Sequence, residues 1–285
     1  MLGSGGAQAG DPMSHNDIQP GTPAATVSSR RAVGLGAQVA SYTGALLRAW
    51  VRDPGIIVQS LVFPAFMLAM FHLVFGESTT AIGLGDSIFG TTGLVALVGA
   101  MFGTAMAGLQ FIEERDTGLL QRLWTLPVAR SGYLIGRIVA EVVRMFAGTV
   151  ILFAVAVPLG FRFTQGWLAG LGALVVPVLL GVGVAFLVIA VAIVSGKAVI
   201  QQLSILFLLM LFFNTGFAPV EEYPGWLEPV VRYQPMSLAI DTMSGLTEGG
   251  PVRDALIGTL VWSVGLSVVF GVLAVRGYRR AVQGD

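Results

Sequence analysis

Six long stretches without a charged side chain constrain the fold of this 285-residue chain more than any other feature. About 20 apolar residues cross a bilayer as one helix, so stretches of this length predict membrane spans. Only 11% of the residues are charged, whereas soluble proteins carry about 25%. The uncharged stretches cover residues 55–76, 87–112, 145–161, 163–196, 198–220 and 255–275. The sequence therefore predicts an all-α integral membrane protein with six transmembrane helices.

The third stretch is shorter than a span requires, so we expect its helix to begin near Leu134. Arg137, Glu141 and Arg144 then share one helix face, because they are three to four residues apart. These charges could be paired inside the membrane, or could lie at its surface and set the depth of the helix. Residues 218–250, with four prolines, are too polar to span and predict short helices on the outer face. The six predicted spans are residues 55–76, 89–112, 134–160, 167–194, 198–218 and 253–275.

Lysine and arginine are concentrated in the loops on one side of these spans. If the N terminus is cytoplasmic, thirteen of the 16 lysine and arginine residues lie inside, and Arg162, Arg232 and Arg253 lie outside. Cytoplasmic loops of membrane proteins carry an excess of such residues. We therefore predict a multi-pass protein of the plasma membrane with both termini in the cytoplasm.

The region before the first span divides into two parts. Residues 1–32 are rich in Gly, Ser, Pro and Thr, a composition that predicts a disordered cytoplasmic tail. Residues 33–52 have the periodicity of an amphipathic helix lying on the membrane surface, with Arg48 and Arg52 off the apolar stripe. An ordinary juxtamembrane segment without a mechanical role is the alternative. The predicted apolar stripe consists of Leu35, Val39, Tyr42, Leu46 and Trp50.

The segment between the second and third spans is charged and amphipathic. Asp116 or Thr117 can cap a short helix that ends before Pro127. Arg122 would point away from the apolar ridge of this helix. An apolar ridge displayed in the cytoplasm predicts a protein partner, and a plain loop on the membrane surface is the alternative. The ridge consists of Leu119, Leu120, Leu123 and Trp124.

Several short motifs occur in and after this segment: Glu113-Glu114-Arg115, Gly118-Leu119-Leu120, Arg122-Leu123, Leu126-Pro127 and Gly136-Arg137. In this order they resemble the permease subunits of ABC-2 type exporters. Further motifs are Gly160-Phe161-Arg162-Phe163, Tyr223-Pro224-Gly225-Trp226, Gln234-Pro235 and Gly277-Tyr278-Arg279-Arg280. These resemble the daunorubicin-resistance branch of that family and its mycobacterial members. The resemblance covers residues 33–282, the predicted ABC-2 type transmembrane domain.

The resemblance implies a division of labour between subunits. Residues 33–52, with Arg48 and Arg52, would form the connecting helix, and residues 113–126 would contain the coupling helix that docks on a cytoplasmic ATPase subunit. In such exporters two permeases pair with two ATPase subunits, and in this branch the two permeases are different polypeptides. The residues implied to couple to the ATPase are Glu113, Glu114, Arg115, Asp116, Leu119, Leu120, Arg122, Leu123 and Trp124.

The chain itself carries no complete phosphate-binding loop. Around Lys197, the nearest candidate lacks both the upstream glycine and the following Ser or Thr that such a loop needs. We predict a permease that is not an enzyme and holds no cofactor, with ATP and Mg bound by the partner subunit. Balanced charge, 16 basic against 16 acidic residues, argues against nucleic-acid binding. No metal site is expected, because cysteine is absent and only two histidines occur.

The apolar spans predict an apolar or amphiphilic cargo. They lack the unpaired carboxylate that an ion-coupled carrier needs, and an apolar path suits membrane lipids or drug-like amphiphiles. The predicted function is export of such molecules from the cytoplasm or inner leaflet. An ATP-independent channel or ion-coupled carrier, or a scaffold without transport, is the alternative. The candidate path residues are Phe66, Met67, Met101, Phe102, Met106, Phe207, Met210 and Phe213.

Overall fold

A computed structural model describes residues 34–82, 87–118 and 130–283 of the chain. These residues form helices and connecting turns without any strand, so the all-α prediction is confirmed for them. The predicted tail, residues 1–32, lies outside the described residues. The helices are α1 Leu35–Arg52, α2 Pro54–Ile57, α3 Phe63–Ile82, α4 Ser87–Asp116, α5 Arg130–Ala156, α6 Trp167–Val194, α7 Lys197–Phe212, α8 Glu228–Tyr233, α9 Pro235–Thr247 and α10 Arg253–Gln283.

Four helices in the described part of the chain are long and apolar enough to cross a membrane. Their spanning parts are Ile88–Asp116, Gly132–Leu159, Trp167–Val194 and Arg253–Gly277, which match the second, third, fourth and sixth predicted spans. Shorter apolar helices, Phe63–Val74 and Lys197–Phe212, occupy the first and fifth. Four of the six predicted spans thus have helices of sufficient length, and the crossing of the other two stays a prediction.

The first predicted span is not one regular α-helix. A π-helical turn, Val58–Val62, separates α2 from α3, and Phe63 N–H donates to the carbonyl of Val58. Pro64 follows directly, and a proline has no N–H and clashes with the carbonyl four residues earlier, here that of Ser60. A widened turn before the proline relieves this clash. The π turn therefore gives the first span a local irregularity beside the centre of the bundle.

Helices α4 and α6 form the buried centre of the bundle. Glycines on α6 let α5 and α10 approach it closely. A Cβ at Gly181 would lie 2.2 Å from Met145 Sδ of α5, and one at Gly183 would lie 3.0 Å from the Ser263 carbonyl of α10. A larger side chain at Gly181 would displace the Met145 side chain, and one at Gly183 would push α10 away, because it meets backbone there. Close packing on both faces therefore holds α6 between α5 and α10.

The bundle has two chemically different ends. At the Glu114 end lie the C termini of α4 and α6 and the N termini of α5 and α7. At the other end, the α9 end, the short helix α9 packs against the N-terminal parts of α4, α6 and α10. Both Thr164 N–H and its hydroxyl donate to the Thr247 carbonyl, which ties the loop before α6 to α9. Helices α8 and α9 occupy the region where short helices were predicted.

Candidate functional site

The charged residues Glu113–Asp116 belong to α4 and do not begin a separate helix. Thr117 Oγ1 donates to the Glu113 carbonyl at 2.8 Å, and Gly118 N–H donates to the Arg115 carbonyl at 3.1 Å. Gly118 has a positive φ of 73°, which is typical of the residue that ends a helix. Asp116 and Thr117 therefore lie at the end of α4, and the helix that one of them was predicted to cap lies outside the described residues. The predicted ridge residues, and Arg122 on the opposite face, lie outside the described residues; the ridge residues are Leu119, Leu120, Leu123 and Trp124.

Three consecutive side chains at this end of α4 each contact a different helix. Glu113 Oε1 lies 2.9 Å from Lys197 Nζ at the start of α7. Glu114 Oε2 lies 2.6 Å from Arg137 Nη1 of α5. Arg115 Nη1 donates to the carbonyls that end α6, those of Ala192, Ile193 and Ser195, at 2.9, 3.2 and 3.1 Å. We call Glu113, Glu114 and Arg115 the α4 charge cluster.

In the contact between Glu114 and Arg137 the arginine is buried, and both of its terminal nitrogens donate hydrogen bonds. Arg137 is 1% exposed; its Nη1 also donates to Tyr133 Oη at 2.9 Å, and its Nη2 donates to the Ala107 carbonyl at 2.6 Å. The Tyr133 hydroxyl donates to Glu114 Oε2 at 2.5 Å, and the guanidinium lies 5.1 Å from the centre of the Phe111 ring. A buried charge is tolerated when a counter-ion and hydrogen bonds compensate for its lost hydration. Glu114, Tyr133 and Arg137 therefore join α4 and α5 as one polar unit.

The other two members of the charge cluster are more exposed. The Glu113 and Lys197 side chains are 60% and 49% exposed, so water screens this ion pair and it adds little stability. The last carbonyls of α6 have no N–H partner within their own helix, and Arg115 donates to them. The helix dipole also favours a cation at this C terminus. Asp116 Oδ1 accepts from Arg115 Nε at 3.0 Å. Arg115 therefore holds the end of α6 against the end of α4.

Helix α1 packs on the same region through α5. A Cβ at Gly136 would lie 2.9 Å from Tyr42 Cβ, so only glycine lets the two helices approach this closely. Thr43 Oγ1 donates to the buried backbone carbonyl of Gly136 at 3.0 Å, and the Tyr42 ring meets the Tyr133 ring edge-on at 5.8 Å. Trp50 Nε1 donates to Gln110 Oε1 of α4. Helix α1 therefore contacts the polar unit of Glu114, Tyr133 and Arg137 directly.

The packed face of α1 differs from the predicted apolar stripe. Thr43 is buried although it lies off that stripe, whereas Leu35, its first member, is 47% exposed. Arg48 and Arg52, the predicted connecting-helix residues, are exposed, and Arg48 Nε donates to the Gly44 carbonyl of its own helix. The difference arises because Gly136 presents a bare carbonyl that a threonine hydroxyl can reach.

A second ion pair lies further along α5. Glu141 Oε2 accepts from Arg144 Nε at 3.0 Å and from Arg144 Nη2 at 2.7 Å, and Nη2 lies 3.4 Å from Thr104 Oγ1 of α4. Glu141 is 2% exposed, and its other oxygen, Oε1, accepts no hydrogen bond from the described residues. Arg137, Glu141 and Arg144 therefore form two separate polar contacts with α4 and not one continuous network.

An apolar cavity of about 430 Å³ lies between the π turn and α3, α4 and α7. None of the described side chains that line it is charged. A cavity of this volume and lining suits an apolar ligand or the apolar part of a larger one. The lining includes Phe63, Met67, Val98, Phe102, Leu208 and Leu211.

The structure separates the eight residues that were predicted to line a transport path. Met67 and Phe102 line the cavity. Met101 and Phe207 are buried in the core, at 2% and 3% exposure, although the Phe207 ring lies 6.3 Å from that of Phe102. The other four lie at the surface of the bundle, half-buried or exposed: Phe66, Met106, Met210 and Phe213.

Sequence reasoning missed several residues of the site. Tyr133 was detectable, because it precedes Arg137 by four residues and therefore shares its helix face. Lys197 was considered as a candidate for a phosphate-binding loop, and its pairing with Glu113, 84 residues away, has no local signal. The Ala107 carbonyl that accepts from Arg137 also has none, since every residue carries a carbonyl. These partners are determined by tertiary packing.

Residues 37–246 match the family of ABC-2 type transporters. With this match over most of its length, the chain belongs to the ABC-2 type transporter family. It is 37% identical over 246 residues to the "Probable doxorubicin resistance ABC transporter permease protein DrrC" of Mycobacterium tuberculosis, covering 86% of this chain and 89% of that protein.

Two further relatives are less similar. The daunorubicin resistance ABC transporter permease protein DrrB1 of Streptomyces coeruleorubidus is 26% identical over 251 residues, covering 87% of this chain and 88% of that protein. The doxorubicin resistance ABC transporter permease protein DrrB of Mycobacterium tuberculosis is 25% identical over 232 residues, 78% of each. The predicted resemblance to the permeases of this branch and to their mycobacterial members is confirmed. The chain is therefore an integral membrane permease.

Proposed function

We propose that this chain is the permease subunit of an ATP-driven exporter that moves lipids or amphiphilic drug-like molecules outward from the cytoplasm or inner leaflet. The observation that carries the proposal is the α4 charge cluster, because its three adjacent residues each contact one of the helices α5, α6 and α7. A displacement applied to this end of α4 would move four helices together. The relatives named for doxorubicin and daunorubicin resistance support an amphiphilic cargo.

The displacement would come from a cytoplasmic ATPase subunit present in two copies, which binds ATP and Mg. Residues 113–126 would dock on it, and α1 would serve as the connecting helix with Arg48 and Arg52 exposed to the cytoplasm. A second, paralogous permease would complete the path. In this arrangement all six predicted spans cross the plasma membrane and both termini are cytoplasmic, in agreement with the distribution of lysine and arginine.

We propose that the cavity between α3, α4 and α7, the cargo cavity, forms part of the path of the exported molecule. Its lining is apolar and its volume, about 430 Å³, is within the range of small-molecule sites. Met67 and Phe102 contribute to it, and Met side chains adapt to ligands of different shape. The irregular π turn on one wall would let the cavity change its width.

Reconstitution tests the proposal against its alternatives. Proteoliposomes would contain either this chain with its co-purified ATPase and second permease, or this chain alone, and uptake of daunorubicin and of a fluorescent phospholipid would be measured. We expect uptake by the complex only, and only with hydrolysable ATP. Uptake by the chain alone would favour a channel or ion-coupled carrier. If the complex hydrolyses ATP but takes up neither compound, the result would favour a scaffold without transport.

The coupling step has its own test. Glu114→Gln removes the charge that joins α4 to α5, and we expect it to reduce cargo-stimulated ATP hydrolysis by the assembled complex. Glu221→Gln is the matched control, because it removes an exposed carboxylate between α7 and α8, outside the segment proposed to dock on the ATPase. Equal effects of the two substitutions, with the complex intact in both, would contradict the assignment of coupling to Glu114.

A further inference from the structure

A second apolar site, a groove, lies at the Glu114 end, away from the cavity between α3, α4 and α7. It has a volume of about 300 Å³ and lies between α6 and α10. Val191 and Val194 line it from α6, and Phe270 and Leu273 line it from α10. Arg276 completes the lining at the end nearest the C terminus of α10. The groove is therefore apolar along its length and cationic at one end.

The order of these residues along α10 matches the order of groups in a phospholipid. From Phe270 to Arg276 the helix rises about 9 Å, from the membrane interior toward its surface. Arg276 is exposed and forms no ion pair with the described residues, so its charge is available to a ligand. In sequence, Arg279 and Arg280 follow within about one turn, and no acidic residue occurs in α10 after Asp254. The helix end is thus uniformly basic.

We propose that this groove, the α6/α10 groove, binds an anionic phospholipid of the membrane leaflet at the Glu114 end. An acyl chain would occupy the apolar part, and Arg276 would pair with the headgroup phosphate. A zwitterionic headgroup is less suitable, because its own ammonium group competes with arginine for the phosphate. Basic pockets between helices are a recurrent means of binding anionic lipids. The larger cavity between α3, α4 and α7 has no charged side chain among its described lining residues, so we expect no such headgroup preference there.

The lipid would have a structural effect on the coupling region. Val194 is the last residue of α6, and the carbonyls of Ile193 and Ser195 on either side of it accept from Arg115. A lipid packed against Val194 would therefore lie on the turn that Arg115 holds. The ligand is a resident lipid and not cargo, so this inference is independent of the exported substrate.

Lipid retention by the purified transporter complex tests the inference. The complex is exchanged into detergent with equal amounts of phosphatidylglycerol and phosphatidylcholine of identical chains, and bound lipids are counted by native mass spectrometry. We expect about fivefold more phosphatidylglycerol than phosphatidylcholine on the wild type, and loss of this preference in Arg276→Gln. Arg276→Lys keeps the charge and should keep most of the preference. Gly277→Leu should lower retention of both lipids, because a Cβ there already lies 3.1 Å from Ile193 Cγ2 and the side chain would fill the groove.

Arg253→Gln is the matched control, since Arg253 is an exposed cation at the other end of the same helix. It should retain the wild-type preference. Equal retention of the two lipids by the wild type, or an equal loss in Arg253→Gln and Arg276→Gln, would overturn the proposal. The chain has no cysteine, so Leu273→Cys gives a single thiol in the groove for cross-linking. Efficient cross-linking of this thiol to another protein subunit in the complex, and not to phosphatidylglycerol, would also overturn it.

Discussion

Replacement of Arg137 by glutamine should strongly destabilise the bundle. The substitution leaves Glu114 without its counter-ion and removes the hydrogen bond to the Ala107 carbonyl, two contacts that are 2.6 Å long. Breaking one side of a buried ion pair costs about 3–5 kcal/mol. Because the Glu114 side chain is 23% exposed and Tyr133 still donates to it, we expect the lower end of this range. The expected loss in the free energy of unfolding is about 3 kcal/mol.

A double-mutant cycle measures how much of this loss belongs to the pair. Unfolding of the purified chain in mixed detergent would be followed for the wild type, Arg137→Gln, Glu114→Gln and the double variant. The double variant leaves neither charge unpaired, so it should be more stable than the sum of the single losses predicts. We expect a coupling free energy of about 2 kcal/mol between the two residues.

The exposed pair of Glu113 and Lys197 is the control for this cycle. Both side chains are about half exposed, and such pairs contribute less than about 1 kcal/mol. The same cycle with Glu113→Gln and Lys197→Gln should therefore give a much smaller coupling. If the two cycles give equal values, or if Arg137→Gln costs less than about 1 kcal/mol, then burial does not strengthen the Glu114 contact and our reasoning is refuted.

Three other substitutions have definite expected results. Gly136→Leu should lower the free energy of unfolding by about 1–3 kcal/mol, because Tyr42 of α1 leaves no room for a side chain. An unfolding free energy equal to that of the wild type would contradict this close approach. Burial raises the pKa of Asp241 above its usual 3.8, so the folded state binds its proton more tightly than the unfolded state does. The free energy of unfolding should then decrease as the pH rises from below 3.8 through the folded-state pKa. When the unfolding free energy is measured against pH, Asp241→Asn should not show this decrease. Met67→Trp fills part of the cargo cavity and should slow export of bulky amphiphiles more than of small ones; equal slowing in vesicle transport assays would contradict a role in the path.

The helices were predictable because hydrophobic length is a local property. In a membrane every backbone polar group must be bonded within its own segment, so a long uncharged run has few alternatives to a helix. The π turn was not predicted, although Pro64 marks its position. Its form depends on how the backbone adjusts around the proline and on the neighbouring helix, and one residue type does not specify that.

The boundary of α4 shows how local signals can conflict. Asp116 and Thr117 are favourable first residues of a helix, and this favoured a new helix at that point. Gly118 is an equally strong signal for the end of a helix, and in the structure its positive φ and the Thr117 hydroxyl end α4. The coupling role of the charged motif stays a prediction. Its three partners on α5, α6 and α7 required the tertiary structure.

Helix α4 connects the two ends of the bundle as one continuous element. It has 30 residues and no proline, and is therefore about 45 Å long. Near its N terminus Gly93 packs against Met243 of α9, and at its C terminus the charge cluster holds α5, α6 and α7. The first span, in contrast, is interrupted by its π turn. Because a continuous helix resists bending more than an interrupted one, we expect a displacement at Glu114 to reach α9 through α4, while the π turn absorbs the accompanying change in the first span.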